Sequence, residues 1–261
     1  MKFSEYDPGE FYDELYEGKG QPRPGSTLLL RKFASLTERK FKKRQEAAER
    51  VILNMGMTFG IHGRDDGHEQ IFPFDIVPRV VVASDWDRIE SGLQQRMRAL
   101  NLFIDDVYHD QKILKNGVIP SELIYSGKGF LQPCMGLNPP RGIWCHVAGI
   151  DLVRISDGQY YVLEDNTRCP SGVAYVLEAR QVMKRTFPEL FDAYRVRPVD
   201  GYPSQLLETL RSLSDLPDPT VVILTPGIFN SAYYEHSLLA HKMGVELVEA
   251  NDLAVVDGSV H

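Results

Sequence analysis

The sequence predicts a mixed α/β protein with a short acidic β-hairpin near its middle and a β-α-β unit near its C-terminal end. Three observations carry that expectation. Residues 84–107 repeat apolar side chains at spacings of three and four, residues 147–166 form two apolar-rich runs about an Asp-Gly turn, and residues 221–249 read as strand, helix, strand. The 261-residue chain is 43% hydrophobic and 25% charged, ordinary globular values that exclude disorder, collagen and a fibrous repeat. One or two domains are expected at this length.

The apolar runs, such as Val80–Ala83 and Val221–Leu224, are a few residues long and fall far short of the roughly 20 residues that span a bilayer. The first residues, Met1–Asp7, hold no apolar signal core, so a cytoplasmic location without a membrane partner is expected. Cys134, Cys145 and Cys169 have no pairwise metal spacing and read as buried thiols. A net charge of −7 argues against nucleic acid as the main partner, and the basic run Arg39–Arg44 reads as a solvated helix face.

Residues 1–30, rich in Gly and Pro, read as an extended arm docked by Phe11, Tyr12 and Tyr16. A helix follows from about Leu36 to Asn54, then a polar loop, Gly60–His68. A strand is expected over Val77–Ala83, with Ser84 capping a long helix whose stripe of Trp86, Ile89, Leu93, Met97, Leu100, Ile104 and Val107 is core. Residues 124–143 are Gly- and Pro-rich loop. Strands over Val147–Ile155 and Tyr160–Asn166 make a hairpin, and a helix opens after Thr167–Gly172 and ends at Phe187-Pro188. After a short helix around Leu206–Leu213 and a linker come strand Val221–Thr225, helix Ser231–Met243, stop Gly244 and strand Val245–Glu249. The final residues begin another Asp-Gly hairpin, which suggests an N-terminal portion of a longer protein. The oligomeric state is not legible.

The hairpin carries the chemistry. With Asp157-Gly158 as a two-residue turn, Ser156 faces Gln159 and Asp151 stands opposite Glu164. Asn166 shares the face of Glu164, with Gly149 opposite it leaving open space, while Arg154 points to the other face. Two opposed carboxylates are destabilising unless neutralised. Either they and Asn166 take a hard cation such as Mg²⁺, completed by water and phosphate, or Arg154 or Arg168 pairs with an acid. Arg168 offers a fork that matches phosphate, and Ser171-Gly172 stand at a helix start where free N–H groups suit an anion.

The segments Phe74–Arg79, Gly149–Arg154, Leu163–Gly172 and Thr225–His236 resemble the circularly permuted type 2 ATP-grasp proteins, a group similar to glutathionylspermidine synthases. The segment order agrees, because the acidic hairpin precedes the β-α-β unit. The resemblance implies an ATP-grasp-like portion over residues 31–200 after the 1–30 arm, and the start of a Rossmann-like pre-ATP-grasp domain over 216–261, truncated. It implies an ATP- and Mg²⁺-dependent carboxylate–amine ligase that forms an amide through an acyl-phosphate on small-molecule or peptide substrates. Asp151, Glu164 and Asn166 would hold Mg²⁺, and Arg168 would contact the transferred phosphoryl group. Lys128, between Gly127 and Gly129, resembles mobile loops that close over nucleotides, though a plain surface loop accounts for it as well. Arg79 either reaches a phosphate or pairs with Asp75. Asn230, Tyr233, Glu235 and His236 follow a strand end and are candidates for substrate contact. The rival reading is a non-catalytic ATP-grasp-fold module that binds a peptide or protein partner.

Overall fold

A computed structural model describes residues 5–59, 70–155 and 158–261. The expected Gly60–His68 loop and the turn residues Ser156 and Asp157 lie outside the described residues. In chain order the elements are β1 (Tyr16–Gly18), β2 (Gln21–Pro22), α1 (Thr27–Ala34), α2 (Glu38–Asn54), β3 (Thr58–Phe59), β4 (Gln70–Ile71) and α3 (Ala83–Tyr108). Short helices α4 (Lys112–Lys115) and α5 (Ser121–Tyr125) precede the hairpin β5 (Gly149–Arg154) and β6 (Tyr160–Asn166). Then follow α6 (Val173–Thr186), α7 (Pro188–Tyr194), α8 (Tyr202–Arg211), β7 (Val222–Leu224), α9 (Tyr233–Met243), β8 (Glu246–Val248), β9 (Val255–Val256) and β10 (Ser259–Val260). The elements form two compact units, one of residues 1–80 and 171–261, the other of residues 81–170.

The first unit holds the main core: Leu29, Phe33, Leu36, Ala48, Ile52, Met57, Ile76, Val182, Met183, Phe187 and Leu190 are buried together. Helix α2 begins where Thr37 accepts from the Lys40 N–H, and α6 stops before Pro188, which then opens α7. Helix α1 was not legible in the Gly- and Pro-rich arm. Its apolar face is fixed by tertiary contacts: Leu29 and Phe33 are buried, and the Tyr194 hydroxyl accepts from the Leu29 N–H at 2.9 Å. In β7-α9-β8 the two strands pair in parallel, as expected of a β-α-β unit.

The strand expected over Val77–Ala83 is absent. The segment before it is satisfied from α2 instead of by a neighbouring strand. Gln45 donates to the Phe74 carbonyl at 2.5 Å and accepts from the Ile76 N–H at 3.2 Å, and Pro78 removes a further donor.

In the second unit α3 starts at Ala83 after Val82, so Ser84 lies inside the helix and is not its cap; Asp85 does lie in the first turn. The stripe is only partly core. Ile89 and Val107 are buried, whereas Trp86 is 45% exposed, because a two-stranded hairpin is too narrow to cover 26 helical residues. A groove of about 460 Å³ remains, lined by Trp86, Leu93 and Met97 of α3 and by Ile150 of β5. Asn101 joins α3 to the approach to the hairpin, accepting from the Trp144 and Cys145 N–H groups at 2.8 and 2.9 Å. Of the cysteines only Cys145 is buried; Cys134 is half-buried and Cys169 exposed. Burial pushes the Cys145 thiol pKa up.

Among the described residues, no helix is long and apolar enough to cross a membrane.

Candidate functional site

The expected opposition of Asp151 and Glu164 is present, reached by a different route. Three pairs, Gly149 with Asn166, Ile150 with Asp165 and Asp151 with Glu164, have the predicted register. Closer to the turn, Leu152 faces Val162, Val153 faces Tyr161 and Arg154 faces Tyr160, one residue out of that register. The Ile155 N–H donates to the Gln159 carbonyl at 3.2 Å, and the Gly158 N–H to the Ile155 carbonyl at 2.8 Å, with Gly158 at φ 76°. The loop is therefore one residue longer than a two-residue turn, with glycine in the left-handed conformation such a loop requires. A bulge at Leu163 absorbs the extra residue, leaving Leu163 and Glu164 both exposed and restoring the predicted pairing beyond it.

Asp151, Glu164 and Asn166 all lie exposed at the far end of the hairpin, and Asn166 Nδ2 donates to Glu164 Oε1 at 3.2 Å. Side chains directly opposed in an antiparallel pair have Cβ atoms about 5 Å apart, so the two carboxylates share one patch. The nearby arginines do not neutralise them. On the other face of β5, as expected, Arg154 donates to Asp85 and to the Tyr160 hydroxyl. Arg96 of α3 grips Asp165 with Nε at 2.7 Å and Nη2 at 2.5 Å. Arg168 is exposed and has no hydrogen-bond or ion-pair partner among the described residues. The hydrogen bonds from Arg96 hold the Asp165 carboxyl below the usual carboxylate range.

The donor chemistry of this patch fits Mg²⁺: two carboxylates and a carboxamide oxygen, all hard and all open to solvent. No group of three or more His, Cys, Asp or Glu side chains able to hold a metal is present among the described residues. This set, with two acids and an amide, leaves coordination positions for water and phosphate.

Gly149 does not leave open space opposite Asn166. A Cβ there would lie 3.0 Å from Pro170 Cβ, so glycine is needed to let the chain leaving β6 fold back over β5. Gly149→Ala is expected to cost roughly 1–3 kcal/mol by overpacking, read as a lower urea midpoint at unchanged slope.

The remaining expected residues lie on several elements. In the same unit as the hairpin, Lys128 is exposed in a tight turn closed by the Phe130 N–H donating to the Gly127 carbonyl at 3.0 Å. Arg79, in the other unit, is 83% exposed and pairs with Glu14 at 3.0 Å, not with Asp75, whose carboxylate accepts from the Val77 N–H. The donors expected to greet an anion at Ser171-Gly172 are taken up by the chain itself. Glu235, only 4% exposed, accepts from the Gly172 N–H at 2.8 and 2.7 Å and from the Ala174 N–H at 2.9 Å. Its carboxylate thus caps α6 from the first turn of α9. Burial, and then the charge of Glu235, raise the pKa values of Tyr175 and Tyr202. Asn230 accepts from the Ala232 N–H at 2.9 Å as it leads into α9, and Tyr233 is the first residue of that helix. His236 Nδ1 lies 3.0 Å from the hydroxyl of buried Thr225 at the end of β7.

Arg96 was missed as a partner of the hairpin. A signal existed: it lies three residues after Leu93 on the edge of the α3 stripe, and Asp165 alternates to the face away from Asp151.

An acidic hairpin followed later in the chain by a β-α-β unit is the segment order expected of a circularly permuted ATP-grasp protein. Residues 78–261 match the family described as circularly permuted ATP-grasp type 2, and the chain belongs to that family. It is 51% identical over 260 residues to an uncharacterized protein of Synechocystis sp., covering 99% of this chain and 54% of that protein. An uncharacterized protein of Mycobacterium tuberculosis is 47% identical over 252 residues, 96% of this chain and 45% of its own length. A Frankia casuarinae protein provisionally named glutamate–cysteine ligase is 38% identical over 252 residues, 95% of this chain and 29% of that protein. The chain thus spans about half the length of the first two relatives. Among solved structures, a glutathione synthetase-like effector from Globodera pallida in its apo form shares the fold, with a TM-score of 0.57 and 15% identity. That alignment covers 87% of this chain and 55% of the effector.

Proposed function

We propose that this chain supplies the metal-binding hairpin of an ATP- and Mg²⁺-dependent carboxylate–amine ligase. The observation that carries the reading is the opposed pair Asp151 and Glu164 beside Asn166, with Arg96 and Arg154 both committed to other acids. Family membership and the name of the Frankia relative support the reaction class.

In this reading the γ-phosphoryl group of ATP passes to a substrate carboxylate, giving an acyl-phosphate and ADP. An amine then attacks the carbonyl carbon, phosphate leaves and an amide forms. Bound Mg²⁺ supplies charge neutralisation of the phosphates. Asp151, Glu164 and Asn166 hold it, and Arg168 presents its exposed guanidinium to the transferring phosphoryl group as a two-pronged donor. No side-chain nucleophile is required, in keeping with the buried Cys145 thiol, whose pKa is raised. Lys128 is the candidate for closing over the nucleotide, and the setting of the reaction is the cytoplasm. Asn230, Tyr233 and His236 remain candidates for substrate contact at the end of β7.

The test uses the full-length form with ATP, Mg²⁺ and a panel of carboxylates that includes glutamate, with hydroxylamine as the trapping amine. Acid-dependent ADP release and a hydroxamate product are expected. Release of ADP independent of any acid, or none at all, would remove the ligase reading. A partner affinity that survives neutralising Asp151 and Glu164 together would then support the binding module.

A further inference from the structure

Three acidic or amide side chains follow one another at the end of β6, and only the first and third face Asp151. Asp165 alternates to the α3 face, where it carries both prongs of the Arg96 guanidinium at 2.7 and 2.5 Å. Immediately before this segment lies the Leu163 bulge, so the strand changes register by one residue between Val162 and Glu164. Removing the bulge would continue the turn-side register to the strand end. Asp151 would then face Leu163, Ile150 would face Glu164 and Gly149 would face Asp165. A one-residue slip moves side chains to the opposite face of the strand. In the slipped arrangement Glu164 takes the place beside Arg96 and residue 165 turns to the face of Asp151, so with Asn at position 165 the cluster loses its central carboxylate.

We propose that Asp165 is a positioning residue that occupies Arg96 and so keeps Glu164 on the face of Asp151, free to bind the metal. This deepens the metal-site reading and rests on it for the metal, though not for the register. Arg96 is a fixed cation on the helix beneath the hairpin, and a charged fork takes the carboxylate that reaches it with two parallel hydrogen bonds. Asp165 satisfies it in the bulged register. Deprived of that partner, the arginine favours the register that brings Glu164 to it, and the unbulged ladder adds to that preference. The adjacent bulge makes the switch local, because the pairs from Leu152 to the turn keep their places in both registers.

The competition gives an unusual pattern among variants. Asp165→Asn is expected to weaken Mn²⁺ binding, read by electron paramagnetic resonance titration of the 261-residue chain, by about tenfold or more, the range seen when outer partners of metal ligands are lost. The double variant Arg96→Gln, Asp165→Asn should recover much of that affinity, because no cation remains to draw Glu164 away. A merely structural role for the pair predicts the opposite order, with the double variant no better than Asp165→Asn. The register is read separately, by cross-strand backbone nuclear Overhauser contacts in isotope-labelled protein. Asp151 should contact Glu164 in the parent and the double variant, and Leu163 in Asp165→Asn. If Asp165→Asn keeps the Asp151–Glu164 contact, or the parent binds Mn²⁺ and the double variant recovers none of the affinity lost by Asp165→Asn, the proposal is overturned. If the contacts shift as expected while the parent chain binds no Mn²⁺, the register role stands and the metal-site reading falls.

Discussion

Replacing Glu164 by Gln in the full-length form is expected to lower ATP-dependent turnover by about 100-fold or more, with the melting temperature unchanged or slightly raised. The substitution is nearly isosteric and keeps an oxygen to accept from Asn166 Nδ2, which now lies 3.2 Å away. What it removes is one of two like charges directly opposed across the hairpin. Without metal, that repulsion is destabilising by a few tenths to about 1 kcal/mol, so its removal does not harm the fold. With metal, a carboxylate ligand becomes a neutral amide, and the electrostatic stabilisation of the phosphoryl-transfer step falls with it; losses of about 10²–10³ accompany the removal of one such group elsewhere. The assay is steady-state ADP release against Mg²⁺ concentration. Turnover equal to the parent, with the same Mg²⁺ dependence, would move the metal site off this hairpin.

Glu235→Ala is expected to have the largest effect on stability, about 3 kcal/mol, because it orphans the half-buried Gly172 N–H and the buried Ala174 N–H at the start of α6. At 2–4 °C per kcal/mol for a chain of roughly this size, the melting temperature should fall by about 6–12 °C. Glu235→Gln keeps an acceptor oxygen and should lose less than half as much. Thermal unfolding followed by circular dichroism distinguishes the two. An alanine variant as stable as the parent would mean that the N-terminus of α6 finds other acceptors, and would reopen Gly172 as an anion site.

These predictions separate what local rules read from what they cannot. The helices α2, α6 and α9 were legible because apolar spacing and stop residues act within a few turns. Helix α1 was not, since its sequence sits beside Pro and Gly and its face is bought by Tyr194 and Phe187, far along the chain. The strand expected before α3 failed for a related reason: an apolar run becomes a strand only when a partner supplies its hydrogen bonds, and here Gln45 supplied them to the preceding segment.

At the hairpin, the sequence by itself determined that Asp151 and Glu164 meet, with Asn166 alongside, and that Arg154 turns away. Even there the expected register holds only at the strand ends, where the Leu163 bulge compensates the longer turn; the three pairs nearer the turn are one residue out of it. Tertiary structure alone decided which acids are spent inside the fold. Arg96 took Asp165 across 69 positions and Gly172 took Glu235 across 63, pairings set by the approach of whole helices. Residue periodicity fixes which way a side chain faces; what waits on that face depends on packing between distant elements, which no local pattern encodes.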